Sequence, residues 1–437
     1  VEREALGEAV AWVARELPAR PVIPVLSGLL VEAAGAGLTL SCFDYEVSAR
    51  VVVPAEVTEP GAVLVPGRLL AEITRSLPQQ LVTVITEADM VRLTCGSAEF
   101  ELVSLPVAEY PGLPEPPEPC GTVDGGVLAA AAAQVVPSAS RDDTLPMLTG
   151  VCLDVDGTRM TLAATDRYRL AVAAVDWAPA SPELRAAALV PARTLADVAR
   201  AMGPGVRVTV AFATPGTGGS AEPSGTGEPR PAEGMISFEG GGRRLTARLI
   251  GGDFIRYQSR FPAEFGCRAL LPSEQFTAAV RRVSLVADRA SSVRLTFSPD
   301  QVVIEAQTAG RARAAETVRA TFTGAEPAIA FNPAYLLDGL AAVAVSGGTA
   351  GEGGPSAPGR VQLEFTSPAK PALITWSGYN IAETGEDDAA EQAGAGDSGD
   401  SEQGDGEQGE AGRGADVTPA FRYLVVPLRS AGGSGRG

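Results

Sequence analysis

Val63-Leu-Val-Pro-Gly-Arg68-Leu-Leu-Ala-Glu72-Ile-Thr-Arg75 returns as Leu189-Val-Pro-Ala-Arg193-Thr-Leu-Ala-Asp197-Val-Ala-Arg200, and again as Ile329-Ala-Phe-Asn-Pro-Ala334-Tyr-Leu-Leu-Asp338-Gly-Leu. Each copy is a short apolar strand, a proline that suits a helix start, and a helix. In the first copy the spacing puts Leu69, Leu70, Ile73 and Leu77 on one helix face and Arg68, Glu72 and Arg75 on the other. The second copy repeats the polar face as Arg193, Asp197 and Arg200. The third keeps the acid, Asp338, with Ala334 and Ala341 at the arginine positions. The copies lie about 125 to 140 residues apart, a domain-sized period too long for a solenoid.

A length of 437 residues allows two to four domains, and the repeat selects three, each long enough to bury its own core. No apolar run reaches the roughly 20 residues needed to cross a membrane, and no signal peptide is recognisable. Cys42, Cys95, Cys120, Cys152 and Cys267 are scattered without a CxxC pair, which predicts free thiols in a reducing cytoplasm. The chain has no histidine, so histidine acid–base catalysis and the commonest metal ligand are excluded. No cofactor is implied. The net charge of -18 argues at first against a polyanionic partner. Its location reverses that view. Between Glu383 and Asp416 lie twelve acids and one arginine, a net of -11, leaving about -7 for the rest. That segment lacks large apolar residues and reads as a disordered acidic loop.

Each third of the chain follows the same order of helix, strands, helix, strands. The opening helices are read from Leu6, Val10, Val13 and Leu17 (about Arg3 to Glu16), from Leu128, Ala132 and Val135, and from Phe276, Val280 and Val283. Amphipathic helices on one face of antiparallel sheets predict an α+β fold of three repeated units. Pro114-Glu-Pro-Pro-Glu-Pro119 marks the first linker and Phe261-Pro262 the second. The expected domains are 1–119, 120–262 with an insertion at 214–234, and 263–437 with insertions at 346–359 and 383–416. After the acidic segment an apolar strand returns, Phe421-Arg-Tyr-Leu-Val-Val-Pro-Leu-Arg429, and needs a sheet to join.

The chain offers no convincing catalytic constellation. Asp142-Asp143 reads as a polar loop, and Gly240-Gly-Gly-Arg243 as a hairpin turn without Walker spacing. Binding is better supported. The arginines of the repeated helices could form solvated i, i+4 pairs with Glu72 and Asp197. Their occurrence on the same face of equivalent units favours sequence-independent phosphate contacts, joined by Arg20 in its loop. A second candidate is Ala164-Thr-Asp-Arg167-Tyr-Arg-Leu170, where a strand end and a charged turn could rim an apolar pocket.

Arg141-Asp-Asp-Thr-Leu-Pro-Met-Leu-Thr-Gly150, Ala163-Ala-Thr-Asp-Arg-Tyr-Arg-Leu-Ala171 and Tyr423-Leu-Val-Val-Pro-Leu-Arg429 resemble the bacterial sliding clamp, the beta subunit of DNA polymerase III. Arg20-Pro-Val-Ile-Pro-Val-Leu26, Phe43-Asp-Tyr-Glu-Val and Leu285-Val-Ala-Asp-Arg289 agree, with an actinobacterial flavour, and the likeness spans the chain apart from its insertions. The resemblance implies a head-to-tail homodimeric ring with helices lining the hole and sheets outside. Such a ring is a processivity factor, not an enzyme. It holds double-stranded DNA topologically for the polymerase III alpha subunit and is opened by a clamp loader. A ring can be acidic outside and positive within. The implied DNA-facing set is Arg20, Arg68, Arg75, Arg141, Arg193, Arg200, Arg281 and Arg282.

The resemblance also implies a pocket for Gln-Leu-x-Leu-Phe-like peptides between the second and third domains. Its members here would be Leu148, Thr165, Arg167, Tyr168, Arg169, Leu170, Ile255, Ser259, Arg260, Asn332, Tyr335, Leu424, Val426, Pro427, Leu428 and Arg429. Three positions depart from the family pattern. Ile255 replaces a usual proline, Arg260 a usual aliphatic residue, and Ser430 follows Arg429 where leucine is usual. A guanidinium in an apolar slot costs desolvation unless it reaches water or an acid. Drift in a sequence with long insertions accounts for such departures; the alternative reading is a specialised second clamp, with a different polymerase clientele or an escape from a clamp-targeting antibiotic.

Overall fold

The first unit contains α1 (Arg3–Val13), β1 (Gly28–Ala34), β2 (Gly37–Phe43), β3 (Val47–Pro54), β4 (Gly61–Pro66), α2 (Gly67–Ser76), β5 (Val82–Glu87), β6 (Met90–Cys95) and β7 (Ala98–Val103). The second contains β8 (Pro119–Asp124), α3 (Gly125–Val135), β9 (Gly150–Asp156), β10 (Arg159–Thr165), β11 (Arg169–Asp176), β12 (Ala178–Pro179), β13 (Arg185–Pro191), α4 (Ala192–Ala201), β14 (Arg207–Phe212), β15 (Met235–Gly240) and β16 (Arg243–Arg248). The third contains β17 (Cys267–Pro272), α5 (Ser273–Val283), β18 (Val293–Ser298), β19 (Gln301–Thr308), β20 (Ala312–Arg319), β21 (Thr321–Thr323), β22 (Ala328–Phe331), α6 (Pro333–Gly348), β23 (Arg360–Phe365), β24 (Ala372–Ser377) and β25 (Phe421–Val425). The computed structural model describes residues 1–212, 234–287, 292–308, 310–348, 359–377 and 420–428. Most of the predicted insertion at 214–234, most of that at 346–359 and the whole acidic segment lie outside the described residues.

The apolar helix faces pack as their spacing predicts. Leu6, Val10, Val13 and Leu17 are buried, as are Leu128, Ala132 and Val135, and Phe276, Val280 and Val283. Leu69 is a correction. It is 46% exposed, and its place beneath the helix is taken by Thr74, whose hydroxyl donates to the Leu70 carbonyl at 2.9 Å. In a ten-residue helix the buried arc spans Leu70, Ile73 and Thr74, and Leu69 falls outside it. The Gly240–Arg243 turn closes β15 on β16 as expected, with Gly241 and Gly242 at φ 58° and 74°, where glycine has no Cβ to clash.

The sheets do not belong to single units. One nine-stranded sheet runs β12-β8-β14-β15-β16-β3-β2-β1-β4, and another runs β13-β9-β10-β11-β25-β24-β23-β17-β21. The first joins units one and two through β16 against β3. The second joins units two and three through β25 against β11. What remains is a three-stranded sheet, β5-β6-β7, and a four-stranded sheet, β20-β19-β18-β22. The helices cross the same joints. Gln134 of α3 donates to the Ala342 carbonyl of α6, and the Arg243 guanidinium lies 5.8 Å from the centre of the Trp12 ring of α1.

The terminal strand β25 is bolted into the second joint. Tyr423 is 1% exposed and donates its hydroxyl to the Tyr335 carbonyl at 2.8 Å. Its ring lies so close to Gly339 of α6 that a Cβ there would come within 2.5 Å of Tyr423 Cε1. Tyr423→Ala should destabilise the third unit by about 3–5 kcal/mol, the usual cost of emptying a buried aromatic site. A urea titration followed by a tryptophan signal from Trp376 on the neighbouring β24–β23 ladder checks this.

Candidate functional site

The second joint carries a groove. Leu170 on β11 and Leu424 on β25 are cross-strand partners, and both are buried. With Leu148, Thr165, Ile255, Pro371 and Val426 they line a cavity of about 360 Å³, rimmed by Arg167, Arg169 and Arg260. Apolar walls beneath a cationic rim suit a short peptide with apolar anchors.

The rim is built by one turn. Arg167 has φ 81°, held there because Thr165 Oγ1 accepts its N–H at 3.1 Å and Asp166 Oδ1 accepts the N–H groups of Tyr168 and Arg169, each at 3.0 Å. Arg169 is then turned inward across the joint. Its guanidinium donates to Asp166 Oδ2 at 3.0 Å, to the Asp338 carboxylate and to the Pro137 carbonyl, and lies 4.6 Å from the Tyr335 ring centre. Asp338 is the acid kept in the third copy of the repeated stretch.

The outer wall comes from the segment between units two and three. Tyr257 is buried and donates to Asp154 Oδ2 at 2.9 Å, and Gln258 donates to the same oxygen at 3.3 Å. Burial and the neighbouring carboxylate both push the Tyr257 phenol above its ordinary pKa, so it stays a donor. Arg422 stacks 4.1 Å over Phe261. These contacts hold Ile255 and Arg260 at the groove.

Nine of the sequence-assigned pocket residues line the cavity: Leu148, Thr165, Arg167, Arg169, Leu170, Ile255, Arg260, Leu424 and Val426. Tyr168, Ser259, Asn332, Tyr335, Pro427 and Leu428 do not, and Arg429 lies outside the described residues. The reasons are local. Asn332 Oδ1 caps α6 by accepting from Ala334 N–H at 2.9 Å. Tyr168 and Tyr335 stack on each other at 6.1 Å beside the groove. The Ser259 hydroxyl donates to the Arg256 carbonyl, and Leu428 N–H donates to Ala330. Pro371 was missed because a turn proline between two strands gives no binding signal in sequence. Arg260 is exposed, so the desolvation cost expected of it does not arise.

The arginines assigned to DNA are exposed: Arg20, Arg68, Arg75, Arg141, Arg193, Arg200, Arg281 and Arg282. Their charges are not equally free. Arg200 Nη1 lies 2.8 Å from Asp197 Oδ1 and Arg193 Nε 3.8 Å from Asp197 Oδ2, the pairing foreseen for this helix, except that Asp197 is buried and not solvated. Arg68 instead donates to the Leu17 carbonyl at 3.1 Å. Arg282 pairs with Glu316 of β20, which turns it toward the strand edge. Asp142 accepts from the Thr144 N–H and hydroxyl, as befits a loop-forming residue.

Glu16 lies beneath this face, 9% exposed. Burial first, then the Asp197 carboxylate, push its pKa up to about 7, against the opposing pull of Arg193 and Arg200. A carboxyl raised in the folded state favours folding when protonated. Stability should therefore fall as pH rises from about 4.5 through about 7. Glu16→Gln should melt with the parent at pH 5 and be more stable than the parent by about 1–3 kcal/mol at pH 8. Thermal melts at the two pH values check this.

Comparison with known proteins agrees with this architecture. Residues 1–114, 122–255 and 258–380 match, in order, the N-terminal, central and C-terminal domains of the DNA polymerase III beta subunit. The chain is 48% identical over 389 residues to the beta sliding clamp of Streptomyces coelicolor, covering 89% of this chain and 96% of that one. It is 43% identical to the beta sliding clamp of Micrococcus luteus, covering 74% of this chain and 98% of that one. The fold superposes on the DNA polymerase sliding clamp of Bacillus subtilis with a TM-score of 0.77 at 21% identity, covering 98% of each chain. The chain belongs to the beta sliding clamp family, the beta subunits of bacterial DNA polymerase III.

Proposed function

We propose that two copies of this chain close head to tail into a ring that encircles duplex DNA and tethers the replicative polymerase to it. The observation that carries the reading is the sheet arithmetic. Units one to two and two to three are joined by antiparallel strand pairing, while β7 and β20 are left at the open edges of the smaller sheets. Edge strands pair with further chains unless they are protected, and a repeated joint continued between copies closes a ring when the rotation closes. The units run over 1–119, 120–262 and 263–437. The ring acts without chemistry of its own in the cytoplasm, as a processivity factor.

DNA passes the hole by phosphate contacts from the helix arginines. The arginines of the first copy are the freer ones, because Arg68 donates only to a carbonyl whereas Asp197 neutralises part of the second copy. Replacing Arg20, Arg68 and Arg193 together by alanine should speed loss of the loaded protein from nicked circular DNA. The loss should be salt-dependent, with a shallower slope than the parent's. Retention on a circle with prompt release on linearisation is the signature of encirclement. Equal retention on linear and circular DNA would overturn it.

The groove takes the apolar anchors of Gln-Leu-x-Leu-Phe-like segments from the polymerase alpha subunit, the clamp loader and other clamp-motif proteins. Leu424→Asp should weaken a labelled peptide by tenfold or more, about 1.4 kcal/mol. A second reading, a specialised clamp, is favoured by Ile255 and Arg260, which do line the cavity. Peptide affinity equal to that of an ordinary bacterial clamp would exclude it.

A further inference from the structure

The turn that ends α1 touches an arginine from each of two repeated helices. The Leu17 carbonyl accepts from Arg68 of α2 at 3.1 Å, and the Arg15 carbonyl accepts from Arg193 of α4 at 3.5 Å. Between them in the chain stands Glu16, 9% exposed. Arg15–Leu17 belongs to the first unit and α4 to the second, so this strap crosses the first joint. α4 brings a buried carboxylate of its own, Asp197, which holds both Arg193 and Arg200. Two carboxyl groups from two units therefore share the guanidiniums assigned to DNA.

The two carboxyls are not equivalent. Asp197 forms the ion pairs, and among the described residues no donor hydrogen-bonds the Glu16 carboxyl. Arg15, in the same turn, is exposed. The other groups facing Glu16 are the Asp44 carboxylate in the β2–β3 turn and Cys42 on β2, whose thiol burial keeps protonated. Glu16 is thus the member of the cluster that takes a proton most readily, in keeping with its pKa of about 7. Phosphates arriving at Arg193 and Arg200 shift this balance. They add negative charge above the cluster and draw on the guanidiniums that favour an ionised Glu16, and both effects favour the protonated form.

We propose that the grip on DNA at the first joint is coupled to protonation of Glu16, so that the chain takes up protons as it engages phosphate and holds duplex more firmly below neutral pH than above it. The inference rests on the DNA reading above and adds a linked proton to it. The sign follows from linkage. A carboxyl whose pKa rises on binding strengthens binding when it is protonated, and that gain is lost as pH rises through the pKa of the bound state. The chain has no histidine, the one side chain whose ordinary pKa lies between pH 5 and 8. A pH response of DNA binding in that window therefore points to a perturbed group, and Glu16 is placed to supply it. The amino terminus also titrates there, but it is common to the parent and to any Glu16 variant.

Glu16→Gln in the full chain, compared with the parent, tests the coupling. Binding to a short labelled DNA duplex is followed by fluorescence anisotropy at one salt concentration, at pH 6 and at pH 8. The parent should bind at least about threefold more tightly at pH 6. Glu16→Gln should bind equally at both, at the affinity the parent reaches at pH 6. Calorimetric titration of the same duplex at pH 7, in two buffers of unlike ionisation enthalpy, counts the protons directly. The parent should take up a fraction of a proton per chain and Glu16→Gln none, a difference that a merely structural role for Glu16 would not produce. A parent with equal affinities at the two pH values, or a Glu16→Gln protein that keeps the parent's pH dependence, overturns the coupling while leaving the DNA reading. A parent that binds the duplex at neither pH overturns that reading itself.

Discussion

A strand at the edge of a sheet presents a row of N–H and C=O groups that must be paired or shielded. This chain meets that demand internally twice, with β3 against β16 and β11 against β25, and so turns three units into two continuous nine-stranded sheets. The groove is positioned by the second of those joints. The groove exists only where β11 and β25 meet, since its floor takes one leucine from each. The Arg169 guanidinium spans the same joint to reach Asp338, so the rim of the groove also clamps one unit to the next.

The electrostatics are set largely within the units. An acidic chain can still offer a cationic surface if its arginines are gathered on the helices and its carboxylates are dispersed or paired. Here the pairing is uneven. Asp197 holds Arg193 and Arg200 while Arg68 turns to a carbonyl, so the repeated helices are alike in sequence but unlike in available charge. Glu16 sits among them with its carboxyl held near neutrality, which spares the face one more negative charge below about pH 7.

Much of the fold was legible in the sequence because the helices announce themselves. Leu6, Val10 and Val13, or Phe276, Val280 and Val283, leave little choice of buried face. The strands that matter most were the hardest to see. β7 alternates apolar residues with Glu99 and Glu101, and β20 is a run of alanine, arginine and glutamate. Neither is rich in β-branched residues, because each lies at an edge with one side open to water. One rim of the pocket was read from the 164–170 turn itself, and its remaining members came from resemblance, not from periodicity. Hydrogen bonding then sorted its members, drawing Asn332 into a helix cap and Tyr168 into a stack with Tyr335. Pro371 and the inward turn of Arg169 depend on tertiary placement that no local pattern encodes.

β25 sits in the interior of its sheet, between β11 and β24, although in the chain it begins at Phe421, long after β24 ends at Ser377. The order of synthesis therefore runs against the order of assembly. Until Phe421–Val425 emerges, β11 and β24 are two separate unpaired edges, and Leu170 has no partner across the groove. A chain interrupted between Ser377 and Phe421 carries the first two units and their arginines but lacks the strand that completes the groove. On the function proposed above, such a fragment would lack the partner groove, so competence for partner binding reports that synthesis has passed β25.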